Sequence, residues 1–239
     1  MVYSGFILVV KYISGPPGFP AVLFSLLCLL TERTVQKDFH FYEPTQGHGL
    51  RHDPISSIVG PRVIGWIGTK SKDGVLNLAP YSFCNVFNYR PPVIAFSSVG
   101  YKDSVRNAIE TGVFTWNLAS RDLAEPMNMT SLEQDVREFE VAGLTPADSR
   151  LIDAPRVGES HASLECKVTT HFQLKDSDGK DLNTWMVLGE VVGVHVSPNC
   201  IVDGIYRTAI PRPILRGGGP GDYFEITDLA LFDMPRPKS

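Results

Sequence analysis

Leu164-Glu-Cys-Lys-Val-Thr-Thr-His-Phe-Gln-Leu174, Asp176-Ser-Asp-Gly179 and Trp185-Met-Val-Leu-Gly-Glu-Val-Val-Gly-Val-His-Val196 are the stretches on which the fold is read. The first is long and rich in β-branched residues, which suit a pleated, half-buried surface. The second supplies the residues of a turn or loop, and the third is another β pattern able to pair back on the first. Strands joined in this way are antiparallel. The same grammar continues toward the N-terminus. Val63-Ile-Gly-Trp-Ile-Gly-Thr69 reads as a strand, Ser71-Lys-Asp-Gly74 carries the Asp-Gly signal of a hairpin, and Val75-Leu-Asn-Leu78 is its return. Val93-Ile-Ala-Phe-Ser-Ser98 is an apolar strand behind Pro91-Pro92, and Val113-Phe-Thr-Trp-Asn-Leu118 alternates with period two. Asp103 to Thr111 is the clearest helix: Asp103 or Ser104 can cap it, Val105, Ala108 and Ile109 form an apolar face, and Gly112 ends it. Arg121–Met129 and Leu132–Val141 read as helical or loop-like. Roughly seven strands, few helices and no βαβ alternation predict a mainly β protein, an antiparallel barrel with a few short helices.

Composition agrees with one large domain. Of 239 residues, 43% are hydrophobic and 20% charged, enough apolar material for a sizeable core. The 22 basic and 26 acidic residues give a net charge of -4 with no basic cluster, which argues against a sequence-independent nucleic-acid binder. Cys28, Cys84, Cys166 and Cys200 contain no C-x-x-C pair and read as reduced, mostly buried thiols. Residues 1–37 stand apart from the domain at 38–239. Lys11 is the only charge before Glu32, and Ser14-Gly-Pro-Pro-Gly-Phe-Pro20 interrupts the apolar run. Three readings fit this extension: an uncleaved membrane anchor over residues 1–30, a signal peptide, or a start assigned too early. A membrane is a partner only under the first; otherwise the domain is expected in the cytoplasm.

Two stretches suggest a ligand. In Phe96-Ser-Ser-Val-Gly-Tyr-Lys-Asp-Ser-Val-Arg106 a strand ends in two hydroxyls, a Gly loop follows, and a helix begins beside Lys102, Asp103 and Ser104. Helix N-termini present unpaired N–H groups and partial positive charge, so this pattern suits a phosphate as well as an ordinary capped helix. In Asn77-Leu-Ala-Pro-Tyr-Ser-Phe-Cys-Asn85 the strand signal fails at Pro80, and polar residues interleave with aromatics. A loop of this kind can offer amides to the edge of a flat heterocycle and Tyr81 and Phe83 to its faces, or simply satisfy its own backbone. Gly217-Gly-Gly-Pro-Gly-Asp-Tyr223 is neither G-x-G-x-x-G nor a P-loop and reads as a flexible loop or a close backbone approach to a ligand. His48 and His52 have metal-like spacing, but Gly47 and Gly49 oppose the helix that would align them, so no metal is expected. His161, His171 and His195 read as isolated histidines satisfied by backbone. No G-x-S-x-G elbow or Cys–His spacing supports hydrolysis.

Taken in order, Phe41–Pro54, Pro61–Thr69, Asn77–Asn85, Pro91–Ser98, Lys102-Asp-Ser104, Glu165-Cys166, Leu188–His195 and Asp222-Tyr223 resemble the flavin reductase-like family of FMN-binding split barrels. That family includes flavoredoxin and the reductase components of two-component monooxygenases. The resemblance implies a homodimer holding FMN non-covalently near its interface, with NAD(P)H as electron donor. By position it places Asn77, Ala79, Pro80, Ser82, Phe83 and Asn85 along the isoalloxazine and ribityl chain. It places Ser97, Ser98, Lys102 and Ser104 at the phosphate, with Asp103 in the same helix turn, and His195 and Tyr223 as further contacts. Ser104 stands where Thr is frequent, His161 where Pro is common, and the triple glycine varies the usual ending beside Arg216. The implied activity is an NAD(P)H-dependent flavin reductase of a kind that can feed a partner monooxygenase; the alternative is an FMN electron carrier exchanging electrons with a protein partner. Hydride transfer is the cofactor's chemistry, so no catalytic proton-transfer residue is assigned.

Overall fold

The computed structural model describes residues 39–132 and 137–237. The extension at 1–37 and Cys28 lie outside them. Among the described residues no helix is long and apolar enough to cross a membrane.

A short helix, α1 (Ile55–Ile58), precedes β1 (Arg62–Val63) and β2 (Gly65–Lys70). The single strand read over 63–69 is therefore divided at Ile64, and its two parts serve different sheets. β3 (Leu76–Tyr81), β4 (Cys84–Tyr89) and β5 (Pro92–Val99) follow, then α2 (Asp103–Thr111), β6 (Val113–Leu118), α3 (Ala124–Met129) and α4 (Glu138–Val141). Two minimal strands, β7 (Pro146–Ala147) and β8 (Arg156–Val157), lead to the long hairpin of β9 (Ala162–Lys175) and β10 (Asp181–Val196). The chain ends through β11 (Ile201–Val202), β12 (Ile205–Tyr206), β13 (Ile214–Arg216) and β14 (Tyr223–Glu225).

The seven-stranded sheet runs β3-β2-β6-β9-β10-β5-β4, every neighbouring pair antiparallel. At the tip of the long hairpin the Asp176 carboxylate accepts the N–H groups of Asp178 and Lys180 at 3.0 and 2.9 Å, fixing the predicted turn. The sheet curls until Tyr81 on β3 packs against Phe96 on β5, ring centroids 5.1 Å apart. No ladder joins those two strands, so the barrel is split at this seam.

Pro80 lies inside β3 instead of ending it. β3 is an edge strand, where a missing N–H deprives no neighbour of a ladder bond. β4, read as part of a loop, is the opposite edge, bulged between Val86 and Asn88. The 103–111 helix is as expected, with Gly112 left-handed (φ 75°) at its C-cap. Its N-cap, however, is Lys102, with no side-chain cap; Asp103 pairs with Arg106 at 2.7 Å and Ser104 turns inward.

Successive residues on β2 face opposite sides. Ile67 joins the barrel interior with Phe96, Phe114, Val105, Ala108, Val187, Cys84 and Cys166. Trp66 joins an outer cluster with Leu78, Leu123, Met127, Phe139, Val157 and Ile214. Cys84, Cys166 and Cys200 are free and buried; burial pushes the Cys84 thiol up to about 12 and Cys166 higher still. At Gly189 a Cβ would stand 2.5 Å from Phe114 Cε1, so only glycine lets β10 approach that ring.

Candidate functional site

A hollow of about 670 Å³ opens where β3 meets the N-terminus of α2, closed on its far side by Thr130–Leu132 and Glu138. Asn77, Ala79, Pro80 and Tyr81 form the strand wall; Lys102, Asp103, Ser104 and Arg106 form the helix wall. Asn77 is brought here because it pairs across from Thr69 on β2, and Ser104 because it begins the buried face of α2. Asn77 Nδ2 donates to Ser104 Oγ at 2.9 Å and to Thr69 Oγ1 at 3.1 Å. Asn107 Nδ2 donates to the same threonine oxygen at 3.3 Å, while its own Oδ1 has no partner. Burial raises the Tyr81 phenol, outweighing the opposing effects of Ser104, Ser98 and Lys102, so it stays a protonated donor. An uncapped helix N-terminus, a lysine and a buried serine hydroxyl on one wall form a donor set chemically able to bind a phosphate monoester. Ala79, Pro80 and Tyr81 give the adjoining wall an apolar surface suited to a longer ligand body.

A second hollow, of about 500 Å³, is lined by Arg150, Arg156, His161 and His195 among others, none of them shared with the first. Behind it Glu165 is fully buried and accepts the N–H groups of Arg150 and Leu151, each at 2.7 Å. His195 Nε2 lies 2.5 Å from Glu165 Oε1, so this histidine is satisfied by a carboxylate rather than by backbone. Burial pushes the Glu165 carboxyl up, but the Arg150 N–H, the His195 bond and the Leu151 N–H together hold it below its ordinary range. His161 Nε2 stands 3.5 Å from Asp122.

A third cluster joins the small sheet β1-β13-β14 to the β3–β4 turn. Arg62, Arg216 and Tyr223 stand in register across its three strands. The Arg62 guanidinium lies 5.4 Å from the Phe83 ring centroid, and that of Arg216 lies 4.9 Å from the ring centroid of Tyr223. Arg62 donates to the carbonyls of Ser56 and Gly217; burial and the neighbouring Arg216 lower its pKa. Gly217 and Gly218 are packed rather than loose, and a Cβ on Gly218 would overlap the Ser57 side chain. The glycine run is therefore neither a flexible loop at these two positions nor, at Gly218, an approach to a ligand: its backbone packs on Ser57 of α1.

The pattern of the flavin reductase like domain matches residues 60–207, more than half of the chain and all of the first hollow. This chain belongs to the flavin reductase-like family. An uncharacterized protein of Aquifex aeolicus is 37% identical over 173 residues, covering 69% of this chain and 85% of its own length. The component B of nitrilotriacetate monooxygenase from Bacillus cereus is 29% identical, with a TM-score of 0.69 over 75% of this chain and 90% of that one. The 2-nitrobenzoate 2-nitroreductase of Pseudomonas fluorescens is also 29% identical, with a TM-score of 0.67 over 76% and 88%.

Within this flavin reductase-like chain the anticipated residues divide by location. Asn77, Ala79, Pro80, Lys102, Asp103 and Ser104 converge on the first hollow. Ser97 and Ser98 are buried on β5 just before the Gly100 loop; the Ser98 hydroxyl donates to the Gly100 carbonyl at 3.0 Å and neighbours Tyr81. Ser82, Phe83 and Asn85 lie beyond the wall: Phe83 is under Arg62, and Asn85 Oδ1 accepts the Val86 N–H at 2.8 Å. His195 and Tyr223 belong to the second hollow and the third cluster. Sequence reasoning missed Arg106, Thr130, Ser131, Leu132 and Glu138. Arg106, one turn beyond Asp103 on the same helix, could have been found by spacing. Thr130 could not, because its hydroxyl oxygen is fixed by a tertiary contact, the Trp66 indole N–H at 2.8 Å.

Proposed function

We propose that this chain is an FMN-binding, NAD(P)H-dependent flavin reductase. The observation that carries the reading is the convergence of Asn77, Ser104, Lys102 and the uncapped α2 N-terminus on one wall. Ser104 and Lys102, with the first-turn N–H groups, hold the phosphate of FMN; Ala79, Pro80 and Tyr81 border the rest of the molecule. Once bound, FMN would supply the redox chemistry between the nicotinamide and an electron acceptor. The chain's own task is to bind and orient. Tyr81, kept protonated by burial, keeps a donor at this wall.

The working form is a homodimer. Edge strand β4 leaves Val86, Phe87 and Tyr89 exposed, and an uncovered apolar edge invites pairing with a second copy. A second copy is also the route by which His195 and Tyr223, absent from the wall in their own chain, would reach a flavin. The nitrilotriacetate monooxygenase component resembled by this chain supports a role in supplying reduced flavin to a partner oxygenase.

Anaerobic stopped-flow mixing of the full chain, loaded with FMN, against NADH or NADPH tests the reading. Rapid bleaching of the flavin absorbance is expected. Flavin that binds yet stays oxidised would instead indicate an electron carrier served by a protein partner.

A further inference from the structure

Asn77 carries two amide hydrogens, and both are committed to hydroxyl oxygens: one to Ser104 at 2.9 Å and one to Thr69 at 3.1 Å. Thr69 is fully buried, outside the hollow, and Asn107 adds a second N–H to the same oxygen at 3.3 Å. Asn107 leaves its own Oδ1 without a partner at 2% exposure, an arrangement that a residue present only to fill the core would avoid. These four side chains form one string from the interior of the helix–sheet contact to the site wall.

We infer that Thr69 is a positioning residue that makes Ser104 a hydrogen-bond donor toward the ligand phosphate. An asparagine side chain has nearly the same shape with its oxygen and nitrogen exchanged, so its surroundings decide which way it faces. Thr69 Oγ1, opposite Asn77 in the β2–β3 ladder, accepts from both Asn77 and Asn107, and with its two lone pairs so engaged the Asn77 amide nitrogen faces inward. In that orientation Asn77 can only donate to Ser104. The Ser104 oxygen is then an acceptor toward Asn77, and its proton is turned to the side of the hollow, which it shares with the Tyr81 phenol and where an anion needs it. Without the Thr69 hydroxyl, Asn77 can turn over and offer Oδ1 to Ser104. Ser104 then donates inward and presents a lone pair to the phosphate, exchanging an attractive contact for a repulsive one.

The inference rests on the phosphate reading of the hollow, and the test separates the two. Binding of FMN and of riboflavin, which lacks the phosphate, is followed by flavin fluorescence in the full-length wild type, Thr69→Val and Thr69→Ser. Val keeps the shape of Thr without its hydroxyl, and Ser restores the hydroxyl. Thr69→Val is expected to weaken FMN about tenfold or more, the weight of one hydrogen bond to a charged group. Riboflavin should stay within about twofold, and Thr69→Ser should return FMN binding to the wild-type range. Unchanged FMN affinity in Thr69→Val, equal loss of both flavins, or failure of Thr69→Ser to rescue would each overturn the role of Thr69. A wild type that binds both flavins equally would overturn the phosphate reading itself, and with it this inference.

Discussion

Ser104 is at once nearly inaccessible, with 1% exposure, and part of the wall of the hollow, so its hydroxyl has few partners to choose from. Ser104→Ala should weaken FMN by about 10- to 100-fold, equivalent to ~1.5–3 kcal/mol for a bond to a charged group. Riboflavin affinity should hardly move, and parallel titrations of the two flavins check this. Lys102→Ala removes an exposed charge and should produce a smaller loss that shrinks as salt is added. Glu165 presents the opposite situation, a charge sealed in the interior and kept ionised by three donors. Its folded pKa lies below the ordinary glutamate value, so its stabilisation is fully present above the unfolded pKa, ~4.3. That stabilisation is lost as pH falls through the folded value. Glu165→Gln should cost about 3 kcal/mol at neutral pH, because an amide N–H then faces donors it cannot bond. Urea unfolding of the variant should also lose stability less steeply between about pH 5 and pH 3 than the wild type does.

At the scale of elements, the β9–β10 hairpin was legible because propensity, length and turn chemistry all agreed. The helix at 103–111 was legible for the same reason, although its cap was misassigned: Asp103 is drawn away by Arg106 and Ser104 by Asn77, interactions that local sequence does not weigh. Pro80 misled because its effect depends on whether a strand is an edge, and edge status is a property of the finished sheet. Gly189 is the element-level counterpart of a core contact. It sits at a register shift of β10, and Phe114 of β6 occupies the space a side chain would need. Gly189→Ala should lower stability by ~1–3 kcal/mol through overpacking. Urea curves should show a lower midpoint with an unchanged slope, since the surface exposed on unfolding is the same.

Over the whole molecule, the six anticipated residues that meet in the hollow come from two nearby stretches, residues 77–80 and 102–104, because one ladder and one helix start bring them together. Thr69 and Thr130 escaped notice, as each acts through a partner distant in sequence. The division of the first strand at Ile64 also has a practical meaning. Among the described residues Arg62 and Val63 pair only with Arg216 and Leu215, and Ile214 is 4% exposed within the outer core. The span matched by the family pattern stops at residue 207, before both strand partners and Ile214. An expression fragment cut at that boundary would keep the hollow on paper yet leave its first strand without a mate and open the core where Ile214 sat. It should melt below the full chain and recover when its end is moved past Glu225, so the shortest autonomous unit is set by the closing strap rather than by the reach of sequence similarity.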